Sequence, residues 1–217
     1  MYIFLTGGKT MGHISPLISL YKHLNIKYKI IYFGLKDSME EEECKRLNIE
    51  FYPMELYPFY RKKIFKNILT FFRLFKETKI IKEKFLKYNV KAIISSGGFV
   101  SIPLIYSFRR NKKVKKILIE PNIIMGLANK ILKHFVNYIC VQFPVYKGNK
   151  YILTGNPIEV INSTFDHPAF YLNEDLILFI GGSNGALEIV KIAYDYHIHF
   201  PKQKIFALPF KKVVSLP

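Results

Sequence analysis

Three glycine-rich segments, each following a strand-like run, hold the residues best placed to do chemistry. They are Thr6-Gly7-Gly8-Lys9-Thr10-Met11-Gly12-His13, Ser95-Ser96-Gly97-Gly98-Phe99 and Gly181-Gly182-Ser183-Asn184-Gly185-Ala186. Glycine lets the backbone come close to a ligand, and a helix starting at such a turn offers unpaired N–H groups and partial positive charge to an anion. The spacing of the first segment fits neither a dinucleotide fingerprint nor a Walker A loop. One glycine turn often serves packing alone, but three at the carboxyl ends of strands point to a phosphate-rich ligand. His13 closes the first turn, where an imidazole facing a crevice is suited to act as a general base.

The other histidines, His23, His134, His167, His197 and His199, have no such context. His197 and His199 could share a strand face, but no third ligand lies near them and no metal site is expected. Two cysteines, Cys44 and Cys140, are too few and too far apart for a disulfide framework or a zinc site, which fits a reducing compartment.

The elements that must carry these turns are legible as an alternation. Tyr2–Leu5, Tyr28–Phe33, Ala92–Ser95 and Ile117–Ile119 are short and almost continuously apolar, as strands buried on both faces of a parallel sheet read. Ser15-Pro16 predicts a helix start, followed by Leu17, Leu20, Tyr21 and Leu24 at helical spacing. Asp37-Ser38 opens a second helix over Met39–Leu47, whose early glutamates suit a helix N-terminus. The pattern predicts an α/β doubly wound domain.

Gly155-Asn156-Pro157 breaks the alternation and marks a second unit, beginning with a strand at Leu176–Ile180. Only 60 residues follow Pro157, against the ~100–150 of a typical domain, so this unit is expected to be incomplete. The expected boundaries are residues 1–157 and 158–217.

With 217 residues, half of them hydrophobic, the chain can build a core and is not disordered or collagen-like. Its net charge of +17 suits an anionic partner. Ala92–Phe108, the longest uncharged stretch, contains Ser95-Ser96-Gly97-Gly98 and Pro103 and is too short to span a bilayer. The basic excess is concentrated between Phe59 and Lys91, which holds eleven Lys/Arg and two Glu. On a helical projection Lys62, Lys66, Arg73 and Lys76 share one face, with Leu69 and Phe72 within or beside it. Ile64, Ile68, Phe71 and Phe75 share the opposite face, expected to face the core at Ile64 and Ile68. Cations interleaved with apolar residues predict a helix lying against an anionic membrane surface. No nucleic-acid module is recognisable, so nucleic acid is not the expected partner.

In sequence order, TGGKTMGHISPLISLYKHL (Thr6–Leu24), GLKDSMEEE (Gly34–Glu42), ISSGGFVSIPLI (Ile94–Ile105), IEPNIIMGLANKIL (Ile119–Leu132), TGNPI (Thr154–Ile158) and FIGGSNGA (Phe179–Ala186) resemble the MurG-type glycosyltransferases. These enzymes add N-acetylglucosamine from UDP to a lipid-linked muramoyl-peptide in peptidoglycan synthesis. The resemblance implies a GT-B fold, here one complete Rossmann-like acceptor domain plus the start of a second, donor domain. It implies an inverting transfer in which His13 is the base and Glu120 a second catalytic residue. Thr10, Met11, Gly12, Gly97, Gly98, Asn122 and Asn129 would bind substrate, and Ser183 and Asn184 would meet the nucleotide. No cofactor is implied, UDP-GlcNAc being the donor substrate. The implied partners are an anionic membrane surface and a lipid-diphospho-sugar acceptor, at the cytoplasmic face of the cell membrane.

The chain also departs from the family pattern. Lys9 and Met11 replace glycines in the first loop, and Ile119 and Pro121 replace His and Gln around Glu120. Glu159 stands where the family has an arginine, which replaces a cation near the donor phosphates by an anion. Ile189–Pro217 does not resemble the family's continuation. Two alternatives therefore stand beside the transferase: a non-catalytic remnant that binds membrane and lipid diphosphate, and one half of a split transferase with a separate donor half.

Overall fold

The computed structural model describes residues 1–8, 10–57, 64–158, 176–180, 187–208 and 214–215. Two units separate, Met1–Glu159 and Val160–Pro217. The first alternates strand and helix in the order β1 (Tyr2–Gly7), α1 (Met11–Leu24), β2 (Lys29–Leu35), α2 (Met39–Arg46), β3 (Glu50–Met54), α3 (Ile64–Phe85) and β4 (Val90–Gly97). It continues with α4 (Ser101–Ser107), β5 (Lys115–Glu120), α5 (Leu127–Leu132), β6 (Tyr138–Val141) and β7 (Tyr151–Leu153).

All seven strands are parallel and lie in the order β3-β2-β1-β4-β5-β6-β7. Side chains alternate across the sheet, so each strand feeds two cores. In β1, Phe4 joins Ile31, Phe33, Ile93, Leu104 and Phe108 on one face, while Ile3 and Leu5 join Ile14, Leu17, Ile30 and Ile94 on the other. The strand order reverses between β1 and β4. Ligands in such sheets bind outside the carboxyl ends of the strands at this reversal, which puts the ends of β1 and β4 at the expected crevice.

Several elements differ from the sequence expectations. Helix α1 starts at Met11 with Thr10 as its N-cap, five residues before the predicted start, and Pro16 lies inside it. The proline forgoes only the bond it would have given to the Gly12 carbonyl, and the helix gains a first turn that opens onto the crevice. Strands β3, β6 and β7 had no clear signal. β3 contains Pro53, which its place at the sheet edge accommodates, and β6 and β7 are four and three residues long.

The largest difference is in α3. Its buried stripe is Thr70, Leu74, Glu77, Ile81 and Phe85; Ile68, expected to face the core, is exposed, as are Phe71 and Phe75 on the same face, and the Ile64 side chain lies outside the described residues. Apolar residues surround this helix on nearly every side between Ile68 and Phe75, so periodicity alone could not choose the inward face. Packing against α4 chooses it.

The second unit comprises β8 (Leu176–Ile180), α6 (Leu187–His199), β9 (Lys204–Leu208) and β10 (Val214–Ser215). β8 and β9 pair in parallel, and β10 pairs antiparallel to β9. Ala193 of α6 and Ile205 of β9 form its small core with Phe179 and Tyr196.

Candidate active site

At the reversal between β1 and β4 the ladder carries one extra residue. Thr6 pairs with Ser95 but Gly7 pairs with Gly97, which leaves Ser96 as a bulge. A bulge re-aims what it carries. Ser96 turns to the start of α1: its carbonyl accepts a hydrogen bond from His13 Nδ1 at 2.7 Å, and its Oγ donates to the His13 carbonyl. Because a carbonyl can only accept, Nδ1 carries a proton, and the neutral ring held this way has its lone pair on Nε2. The side chain thus held lines a cavity of about 620 Å³.

The first glycine loop is fixed from beneath. Tyr32, wholly buried, donates its hydroxyl to the Gly7 carbonyl at 2.7 Å. Burial pushes the Tyr32 hydroxyl well above its ordinary range, with Cys44 and Glu40 adding to the shift, so it remains a donor. The buried Glu40 carboxylate accepts from Leu35 N–H at 3.2 Å and occupies the space that a side chain on Gly8 would need. Thr10 makes no side-chain cap bond, and its carbonyl accepts from His13 and Ile14 N–H at 3.0 and 3.2 Å; a helix start of this kind leaves its earliest N–H groups for an anion.

Glu120, at the end of β5, is 1 % exposed. Its Oε1 accepts from Asn122 N at 3.0 Å and Asn122 Nδ2 at 2.9 Å, and its Oε2 from Gly126 N at 3.1 Å and Asn129 Nδ2 at 2.9 Å. With four donors satisfied, this carboxylate is the pin of the β5–α5 loop. The family resemblance implied a second catalytic residue here; all four of these hydrogen bonds come from the β5–α5 loop and α5. Tyr146 closes the same loop by donating to the Ile123 carbonyl at 2.7 Å.

Asn129, 3 % exposed, gives its amide N–H to Glu120 and leaves Oδ1 without a partner among the described residues. That oxygen lies against the second glycine turn: a side chain on Gly97 would come within 2.7 Å of it. Gly97 and Gly98 also have φ of +96° and +83°, a region that disfavours other residues. The turn therefore needs glycine for both conformation and room.

His13, Gly98, Glu120, Asn122 and Asn129 thus meet at one end of the cavity. Thr10, Met11 and Gly12 form the adjoining cap and first turn of α1. Ser183 and Asn184 lie outside the described residues, as does Glu159. Sequence reasoning missed Ser96, Tyr32 and Glu40 as positioning groups. A bulge and a buried carboxylate leave no sequence pattern, although Ser96 sits inside the second glycine segment.

The predicted membrane patch is redrawn by the structure. Leu69 and Phe72 are 62 % and 69 % exposed. Lys62 lies outside the described residues, and Lys66 is placed on α3 by its backbone only. Arg73, expected to face lipid, instead pairs with Glu55 at 3.1 Å and lies 5.4 Å from the Tyr57 ring centre. Ile68, Phe71 and Phe75 extend the exposed apolar surface along α3, and Ile123, Ile124, Leu127 and Ile131 add to it from the β5–α5 loop and α5. Leaving a large apolar side chain exposed forgoes about 1.5–3 kcal/mol of burial. A set of nine marks a surface for an apolar partner. Among the described residues no helix is long and apolar enough to cross a membrane.

Known proteins place this arrangement. The N-terminal domain of glycosyltransferase family 28 matches residues 3–141. The UDP-N-acetylglucosamine–N-acetylmuramyl-(pentapeptide) pyrophosphoryl-undecaprenol N-acetylglucosamine transferase of Bacillus subtilis (strain 168) is 31 % identical over 210 residues, covering 90 % of this chain and 57 % of that protein. MurG of Acinetobacter baumannii superposes with a TM-score of 0.59 at 19 % identity, covering 83 % of this chain and 50 % of that one. A glycosyltransferase of Rickettsia africae gives 0.61 at 12 % identity, over 95 % and 59 %. These superpositions concern the fold. The chain spans a little over half the length of the curated relative it matches. By the match across most of its first unit, the chain belongs to glycosyltransferase family 28.

Proposed function

We propose that the first unit is the acceptor-binding half of an inverting glycosyltransferase that moves N-acetylglucosamine from UDP-GlcNAc to a lipid-linked muramoyl-peptide. The observation that carries the reading is the His13 imidazole lining the cavity, its Nδ1 held by the Ser96 carbonyl so that Nε2 is the nitrogen left for a substrate proton. In the reaction the acceptor hydroxyl attacks the anomeric carbon and its proton passes to His13 Nε2. The bond from that carbon to the diphosphate breaks, and its electron pair leaves with UDP. The uncapped first turn of α1 would hold the acceptor diphosphate. Glu120 would keep Asn122 and Asn129 in place beside the second glycine turn. General-base catalysis contributes ~10²–10⁴-fold.

The exposed apolar surface of α3 and α5 would rest in an anionic membrane, with the chain's positive charge supplying attraction. Donor binding belongs to the second unit or to a separate donor half. Glu159, an anion where MurG-type enzymes have a cation, favours a second reading in which this chain binds lipid diphosphate without turnover. The deciding assay is transfer of labelled N-acetylglucosamine to a short-chain lipid-diphospho-muramoyl-peptide, by the chain alone and with a separately expressed donor half. The transferase reading expects transfer that His13→Ala removes. Acceptor binding with no transfer under either condition would leave the binding reading standing instead.

A further inference from the structure

The cavity at His13 is not polar throughout. Away from the His13–Asn129 end it becomes a trench between three helices, walled by Phe71 and Phe75 of α3, Ile102 and Tyr106 of α4, and Leu127 and Ile131 of α5. Its volume, about 620 Å³, falls in the ~300–1,000 Å³ range of small-molecule sites. Phe71, Phe75, Leu127 and Ile131 also belong to the exposed apolar surface, so the trench opens onto the face that would meet a bilayer. A sugar or peptide would strand its polar groups against these walls.

From the sequence of chemistries along this one cavity, we infer that the trench holds the prenyl segment next to the diphosphate of the lipid acceptor. This rests on the reading of the site as one for a lipid diphosphate. The chain leaves the bilayer between α3 and α5 and lies along the trench, with its diphosphate at the first turn of α1. Moving a hydrocarbon from acyl chains to an apolar wall exposes no apolar surface to water, so the lipid can be drawn partly out of the membrane without the usual desolvation cost. The trench therefore aligns the acceptor rather than merely anchoring the protein.

Farnesyl diphosphate and inorganic pyrophosphate, titrated into the purified chain below the micelle concentration of the former, separate the two ends of the site. Each methylene withdrawn from water is worth about fourfold in affinity (~0.8 kcal/mol), so farnesyl diphosphate is expected to bind at least tenfold more tightly than pyrophosphate. Ala128→Trp and Ile102→Trp fill the trench from α5 and α4. Each is expected to erase that advantage while leaving pyrophosphate affinity unchanged, with thermal unfolding identifying variants that remain folded. Undiminished binding of farnesyl diphosphate to a folded filled variant would overturn the assignment, as would its displacement by equimolar dodecylphosphocholine, which would mark a site for bilayer lipid. Loss of pyrophosphate binding on disruption of the α1 first turn tests the diphosphate reading separately. Retained pyrophosphate binding with no prenyl advantage would sink the trench alone.

Discussion

His13 and Ser96 hold each other by two hydrogen bonds in opposite directions: imidazole Nδ1–H to the Ser96 carbonyl, and Ser96 hydroxyl to the His13 carbonyl. The link joins the first turn of α1 to the bulge at the end of β4, so one residue pair sets both the tautomer and the placement of the candidate base. Nitrogen-15 NMR of the imidazole is expected to show Nδ1 protonated and Nε2 free. Ser96→Ala keeps the carbonyl but loses the hydroxyl, and is expected to lower kcat about tenfold in the reconstituted transfer assay with KM little changed. Equal loss through KM alone would point to a structural role in acceptor binding.

Glu120 should behave as a structural pin. Glu120→Ala strands the buried Asn129 amide and releases the exposed Asn122 and Gly126 N–H groups to water, and is expected to lower unfolding free energy by about 1–3 kcal/mol, the cost of a buried donor left unpaired. Urea denaturation measures this directly. A stable Glu120→Ala protein lacking transfer would support the catalytic role that the family resemblance implied.

Glu77 supplies a pH dependence. Burial raises its carboxyl, the Glu55 backbone N–H lowers it, the Glu55 charge raises it again, and Lys76 and Arg73 lower it, with a net rise. Its Oε2 has no hydrogen-bond partner among the described residues. A raised folded value means that the native state holds a proton the unfolded chain has released. The stabilisation is therefore complete below the ordinary glutamate range and is lost as pH rises through the folded value. Glu77→Gln is expected to be more stable than the parent at neutral pH, with the difference shrinking as pH falls below the ordinary range. Urea midpoints across acid to neutral pH check this, and a constant difference would contradict it.

The exposed face of α3 makes a prediction that separates membrane contact from folding. Leu69→Ser with Phe72→Ser removes two apolar side chains that pack against little of the protein. Thermal stability is expected to stay within ~0.5 kcal/mol, while pelleting with anionic vesicles falls severalfold. Arg73→Gln should matter less to pelleting than its charge suggests, because Glu55 already holds it.

Much of this site was legible in the sequence because strand-to-helix turns leave strong local marks. Glycine at Gly97 and Gly98, and a histidine closing the first turn, mark backbone conformations and a helix start that few other residues supply. What could not be read depends on contacts distant in sequence. The Ser96 bulge exists only relative to β1, and the inward face of α3 only relative to α4. The role of Glu120 follows from a loop that returns to it at Gly126 and Asn129, which spacing does not reveal. Pro16 misdirected the start of α1 because proline is commonest in a first helical turn, whereas here the preceding turn is set by the crevice.

On the reading proposed above, His13 stands at an acceptor site for a lipid diphosphate. Titration of nitrogen-15-labelled chain with a short-chain lipid-diphospho-muramoyl-peptide, followed at the His13 imidazole, tests it most directly. Saturable one-to-one binding is expected, with the Nε2 resonance shifting in step with occupancy. Binding that leaves the His13 resonances unmoved, or no saturable binding at all, would contradict it.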